Sequence, residues 1–178
     1  MILQSIYEHM ETGAAKVPVG ENCKIFFRHS IRGKIDSGVG REVELTDEGV
    51  ELARSFGKHL KYDIGFIASS SCLRNIQTCE NILAGKRIDK TIITAPDELE
   101  GPQTKNRELS DKVFNNLNYN NQEIIFLLKN EGLPGFNSIQ DSAKIMLDYV
   151  FENGNQNNTV DLFCTHDFPD GDSVCLSV

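Results

Sequence analysis

Short apolar runs alternate with apolar stripes along this chain, and each pattern predicts a different element. The runs at 24–28, 64–69, 91–95 and 160–164 predict four buried strands. Between them, apolar residues recur at helical spacing and predict helices near 46–60, 72–84, 123–129 and 138–151. Segments 33–44 and 96–121 are polar and predict loops. Strands that alternate with helices indicate an α/β fold, a mostly parallel sheet with helices on both faces.

The predicted helix ends rest on a few polar residues and glycines. Thr46 is a candidate N-cap for the first helix, because its hydroxyl can accept from a backbone N–H of the first turn. Gly49 in that turn costs about 1 kcal/mol against alanine, which a close backbone contact with the first strand would explain. The hydroxyls of 69–71 are expected to cap the second helix, and Gly85 is expected to end it.

Composition narrows the class of protein. The 178 residues and 39% hydrophobic content suit one domain over 1–178. A formal charge of −8 argues against nucleic acid or an anionic membrane as partner. No apolar stretch approaches the ~20 residues of a membrane span, and residues 1–22 lack a secretory pattern, so we expect a cytoplasmic protein. Five cysteines without a CxxC pair predict buried thiols. The sequence does not predict an oligomeric state.

Polar side chains follow the first and last predicted strands. Arg28, His29 and Arg32 come at the end of the first strand, and His166 follows the last. Open α/β sheets place ligands at this edge. Guanidinium groups bind phosphate or carboxylate, and an imidazole can act as nucleophile, acid or base. Arg74, in the first turn of the second helix, is another candidate anion ligand. Taken alone, the segment with Arg28, His29 and Arg32 fits a solvated turn better than a site. Arg74 alone fits an exposed helix arginine as well as an anion ligand.

Four separated segments carry a resemblance to one known family: Arg28-His29-Ser30-Ile31-Arg32, Leu45-Thr46-x-x-Gly49, Ser70-x-x-x-Arg74-x-x-x-Thr78 and Thr165-His166-Asp167. They resemble, in the same order, the conserved segments of the histidine phosphatase superfamily, whose fold is phosphoglycerate-mutase-like. The resemblance covers about residues 24–167. It implies a three-layer α/β/α sandwich, a small phosphorylated substrate, a phosphohistidine intermediate, and neither metal nor other cofactor.

The resemblance also implies a role for each matched residue. His29 would be the nucleophile, and His166 would donate to the phosphoryl oxygens. These oxygens would be bound by three arginines, Arg28, Arg32 and Arg74. Asp167 would be the acid that protonates the leaving oxygen, as in the acid-phosphatase branch. The mutase-like branch takes a glutamate after the third strand instead, for which Glu98 and Glu100 are the candidates.

Two departures from the family pattern leave alternatives open. Ser30 replaces the usual glycine after the nucleophile, where its side chain could crowd the phosphate or donate to it. After Asp167 the chain is short for the family, and the usual apolar helix is expected to be missing, which would uncover part of the sheet. A non-catalytic phosphate-binding or interaction domain is therefore an alternative, as are a phosphomutase and a protein phosphohistidine phosphatase. A metal site of His29, His166 and Asp36 is disfavoured, because the arginines would repel a cation.

Overall fold

A five-stranded sheet forms the centre of the computed structural model. The structure describes residues 22–35, 40–94, 97–100, 103–154, 159–166 and 174–177, and, near the N-terminus, residues 8, 12–14 and 16. The strands are β1 (Cys23–Arg28), β2 (Ile64–Ser69), β3 (Ile93–Thr94), β4 (Val160–Thr165) and β5 (Val174–Ser177). Their order is β3-β2-β4-β1-β5, and only β5 runs antiparallel to its neighbour. The predicted α/β class with a mostly parallel sheet is confirmed.

Between residues 40 and 154, the described part of the chain forms five helices. They are α1 (Asp47–His59), α2 (Leu73–Lys86), α3 (Arg107–Asn116), α4 (Asn121–Asn130) and α5 (Ile139–Glu152). The prediction of a loop over 96–121 is wrong, because α3 lies within it. Its apolar residues Val113 and Phe114 are half-buried against the small cluster around Phe136, but they lie in a polar, asparagine-rich segment that hid their helical spacing. Asn106 caps its start, and the side chain accepts from the N–H of Leu109.

Two apolar layers confirm the three-layer arrangement. On one face of the sheet, α1 and α2 pack through Ala53 and Ile82 against strand residues such as Leu162. On the other face, α5 packs through Met146 and Val150 against Phe26, Phe163 and their neighbours. Burial of these side chains is the main stabilising contribution of the layers. None of the described helices is long and apolar enough to cross a membrane.

Close backbone contacts explain two of the glycines. A Cβ on Gly49 would lie 2.0 Å from the carbonyl oxygen of Ile31, just beyond β1, so the contact expected there is present. Gly85 does not end α2, which corrects our prediction. It lies within the helix, where a Cβ would meet the carbonyl oxygen of Arg54 on α1 at 2.0 Å. The helix ends at Lys86, and its C-cap residue Arg87 has a left-handed φ of 60°.

The last described strand was not predicted. β5 pairs with β1 along the edge of the sheet, so residues 174–177 extend the sheet where the sequence suggested no element.

Cys72, Cys79 and Cys164 are buried and form no disulfide, as expected. One ion pair is buried at the other end of the sheet, where Lys24 Nζ lies 3.2 Å from Asp161 Oδ2.

Candidate active site

The carboxyl ends of three parallel strands bring the predicted histidines together. Arg28 of β1 is level with Thr165 of β4, so the residues that follow them, His29 and His166, emerge side by side. Their ring centroids are 6.4 Å apart. Ser70 follows β2 at the same edge. The structure thus brings these residues together at the edge where open α/β sheets bind ligands.

His29 is held in one tautomer. Its side chain is buried, and Nδ1 lies 2.7 Å from the carbonyl oxygen of Ser30. A carbonyl oxygen can only accept, so Nδ1 carries the proton and donates it. In the neutral ring, Nε2 then carries a lone pair. This is the state that a nucleophilic imidazole requires.

Ser30 fixes the turn that carries His29. Its hydroxyl donates to the carbonyl oxygen of Gly49 at the start of α1, at 2.7 Å. Its N–H donates to Thr78 Oγ1 at 3.0 Å, and that hydroxyl donates to the carbonyl oxygen of Arg74 at 2.7 Å. The hydroxyl of Ser30 therefore binds the backbone of α1 in this structure.

Arg74 is a buried arginine in direct contact with the second histidine. It lies in the first turn of α2, as predicted, and is only 6% exposed. Nη2 lies 3.3 Å from His166 Nδ1, and Nη1 donates to the carbonyl oxygen of Gly40 at 2.6 Å. The predicted serine cap of α2 is wrong, because Cys72 is the N-cap residue and makes no side-chain cap bond.

His166 is held neutral between two partners. Arg74 can only donate, so Nδ1 of His166 accepts, and Nε2 carries the proton. Nε2 lies 3.0 Å from Ser70 Oγ and donates to it. Burial, with the charges of Arg74 and His29, lowers the pKa of His166 to about 4. The expected donation from His166 to phosphoryl oxygens is not the bond seen here, since its N–H faces Ser70.

The other two predicted arginines flank His29 without being buried. Arg28 ends β1 and is exposed. Arg32 is half-buried, its backbone bridges to Leu45, and its Nη1 donates to the carbonyl oxygen of Gly33 at 2.9 Å. Arg74 differs from Arg28 in its burial, and its guanidinium contacts His166 Nδ1 directly.

The candidate proton donors differ in position. Asp167 lies outside the described residues. Glu98 is half-buried on the side of Tyr149, whose pKa is raised by burial and by the charge of Glu98. Glu100 faces the site. Burial acts to raise the pKa of Glu100, but hydrogen bonds from Arg41 and Ser71 outweigh it and the pKa is lowered. Glu100 is thus an anion at neutral pH.

Two polar contacts of the site were not predicted, the ion pair of Arg41 with Glu100 and the hydrogen bond between His166 and Ser70. Arg41 donates through both terminal nitrogens to Glu100 at 2.6 Å, across 59 residues of sequence. No local signal marks such a pair. Ser70, by contrast, follows a predicted strand at the ligand-binding edge, so the rule that singled out His29 and His166 also applies to it.

Comparison with known sequences agrees with this geometry. Residues 28–111 match the profile of the histidine phosphatase superfamily (branch 1). The resemblance to the histidine phosphatase superfamily is confirmed. The matched range includes His29, Arg32, Arg74 and both candidate glutamates, and it ends before His166. No curated protein sequence matches this chain.

Solved structures of phosphatases share the fold. A mycobacterial glucosyl-3-phosphoglycerate phosphatase is similar with a TM-score of 0.53 at 13% identity, over 82% of this chain and 74% of that one. An Entamoeba histolytica phosphoserine phosphatase bound to 3-phosphoglyceric acid has a TM-score of 0.50 at 22% identity, over 82% of this chain and 74% of that one. The Bombyx mori ecdysone phosphate phosphatase with tungstate has a TM-score of 0.50 at 15% identity, over 82% of this chain and 73% of that one. At these identities the likeness establishes the fold alone.

Proposed function

We propose that this protein hydrolyses phosphomonoesters through a phosphohistidine formed on His29. The observation that carries the proposal is the hydrogen bond from His29 Nδ1 to the carbonyl oxygen of Ser30. It fixes the proton on Nδ1 and leaves the lone pair on Nε2. The buried Arg74 contacts His166, whose ring centroid is 6.4 Å from that of His29. The match of residues 28–111 to the histidine phosphatase superfamily supports the same reaction.

The reaction proceeds in two displacements. The Nε2 lone pair of His29 attacks phosphorus, and the P–O bond to the alcohol breaks with its electron pair leaving on oxygen. A water then attacks the phosphohistidine, the P–N bond breaks, and phosphate leaves. Arg74, with Arg28 and Arg32, neutralises charge on the phosphoryl oxygens, which is most of what this chemistry requires. His166 keeps Arg74 in place by accepting from it, and it reaches the phosphoryl oxygens only if its N–H leaves Ser70.

Asp167 is the candidate acid for the leaving oxygen. It directly follows His166, whereas Glu100 is held as an anion by Arg41 and is a poor acid in that state. We expect Asp167→Asn to slow esters of poor leaving groups more than esters of good ones. If Glu98→Gln showed that pattern and Asp167→Asn slowed both esters equally, Glu98 would be the donor.

The proposed enzyme acts without a metal on a small phosphorylated substrate. The charge of Arg74 beside His166 supports metal independence, because it would repel a cation. A net charge of −8 argues against a nucleic-acid partner. We also propose a cytoplasmic location, which is supported by buried cysteines such as Cys79 and Cys164 that form no disulfide.

The test is the hydrolysis of p-nitrophenyl phosphate between pH 4 and 8 with a chelator present. We expect turnover in the wild type and its loss in His29→Ala. His59→Ala is the matched control, since this histidine lies on α1 and its Nδ1 bonds to the carbonyl oxygen of Ser55. Turnover that survives His29→Ala, or that the chelator abolishes, would contradict the proposed mechanism.

A phosphate-binding domain without turnover is the second candidate. One observation favours it: both ring nitrogens of His166 bond to protein groups, and Glu100 is held by Arg41, so neither is poised as a proton donor. Calorimetric titration with inorganic phosphate separates the two candidates. Binding that is weakened by Arg74→Met, in a wild type that hydrolyses no ester, would establish this second function.

A further inference from the structure

Backbone carbonyls of two consecutive residues hold the start of α2. The carbonyl oxygen of Gly40 accepts from Arg74 Nη1 at 2.6 Å, and that of Arg41 accepts from the N–H of Leu73 at 3.0 Å. The other terminal nitrogen of Arg74 contacts His166. The orientation of the buried guanidinium therefore depends on where the Gly40–Arg41 backbone lies.

The side chain of Arg41 ties this backbone to the segment before Gly101. Its two terminal nitrogens donate to the two carboxylate oxygens of Glu100, each at 2.6 Å. Nη1 also lies 3.1 Å from Ser71 Oγ, which donates to the same carboxylate. The side chains are 38% and 22% exposed, so water screens this pair only in part. A two-pronged pair with a third partner fixes geometry better than an isolated surface pair does.

The segment that carries Glu100 is itself anchored beside the second histidine. The carbonyl oxygen of Leu99, a fully buried residue, accepts from Thr165 Oγ1 at 2.6 Å. Thr165 is the last residue of β4 and directly precedes His166. The contacts thus close a ring that runs from His166 through Arg74, Arg41 and the Glu100 segment back to His166.

We propose that Arg41 is a positioning residue, which orients Arg74 and His166 through its ion pair with Glu100. The assignment rests on the proposed function for its catalytic consequence, but its effect on phosphate binding does not require turnover. It gives Glu100 a structural role in place of the proton-donor role that the sequence allowed. A misplaced Arg74 weakens every step that places charge on the phosphoryl oxygens, whatever the leaving group.

The experiment is a double-mutant cycle with Arg41→Met, Glu100→Gln and the double variant. The measurements are the affinity for inorganic phosphate and kcat for p-nitrophenyl phosphate and an alkyl phosphate. We expect each single variant to lose about tenfold in affinity and in kcat for both esters. The double variant should be little worse than either single one, because both changes open the same ring.

Two further variants control for folding and for charge. Arg41→Lys keeps the charge but loses the two-pronged geometry, so it should recover part of the loss and it serves if Arg41→Met does not fold. Arg54→Met removes a surface arginine that pairs with Glu51 on α1, and it should leave both measurements unchanged.

Three results would overturn the assignment. Multiplying effects in the double variant would show that the residues act independently. Loss confined to the alkyl phosphate in Glu100→Gln would make Glu100 the proton donor. Tighter phosphate binding in Glu100→Gln than in the wild type would show that the negative charge of Glu100 opposes phosphate. Arg41 would then only neutralise that charge and would not position Arg74. If the wild type binds phosphate but hydrolyses neither ester, the proposed enzymatic function fails while the phosphate-binding cycle still decides the role of Arg41.

Discussion

The neutral state of His166 should make folding stability depend on pH. Desolvation of the half-buried ring, with the charges of Arg74 and His29, holds the pKa of His166 at about 4, against about 6.5 for an ordinary histidine. Between these two values the unfolded chain binds a proton at this residue and the folded protein does not. The folded state therefore loses stability as pH falls from about 6.5 towards 4, and this residue contributes no further change below that.

The size of the effect follows from the two pKa values. The whole window corresponds to about 3 kcal/mol in the free energy of unfolding, and about 2 kcal/mol of it is lost on going from pH 7.5 to 5. Part of the cause is specific, because protonation at Nδ1 would remove the acceptor that Arg74 uses. Acidification should thus break the hydrogen bond between His166 and Arg74.

Urea unfolding at pH 7.5 and pH 5 measures this loss, with His166→Gln as the comparison. Glutamine can accept from Arg74 and donate to Ser70 but does not titrate. We expect the wild type to lose about 2 kcal/mol more than His166→Gln between the two pH values. An NMR titration of the imidazole resonances reports the pKa directly. Equal losses in both proteins, or a ring that titrates near 6.5, would refute this reasoning.

Three further substitutions test contacts around the site and the core by chemical denaturation. Gly49→Ala should cost more than about 2 kcal/mol, because its Cβ would overlap the carbonyl oxygen of Ile31, and an unchanged midpoint would contradict that contact. Lys24→Met should cost about 3 kcal/mol by leaving Asp161 charged in the core, and a neutral effect would show that this pair is not needed. Ser30→Ala should cost about 1 kcal/mol without raising the KM for p-nitrophenyl phosphate, whereas a raised KM would indicate a phosphate contact.

The parts of the fold that follow from the sequence are those with strong apolar patterns. β1, β2 and β4 are continuous apolar runs and lie close to where we predicted them. The stripe of α1 is equally clear, and Thr46 caps the helix by accepting from the N–H of Gly49. Helix α3 was missed because its few apolar residues lie in a polar, asparagine-rich segment. Val113 and Phe114 pack against the cluster around Phe136, and Asn106 caps the start of the helix.

In the candidate site, too, some residues could be located from the sequence and others could not. Residues at strand ends, such as His29 and His166, could be located because parallel strands end at a common edge. The partners of Ser70 and Ser71 could not, since a serine before a helix is a normal capping signal and here both hydroxyls bond to side chains distant in sequence. The pairing of Arg41 with Glu100 exists only once the chain is folded.

The central claim is that His29 carries the phosphoryl group. The most direct measurement is rapid quenching of the enzyme during turnover of p-nitrophenyl phosphate at neutral pH, followed by mass spectrometry of its peptides under alkaline conditions. The account predicts an added phosphoryl group on the peptide that contains His29, absent from His29→Ala and present in His59→Ala. Turnover with no phosphorylated His29 peptide, or with the group on another residue, would contradict it.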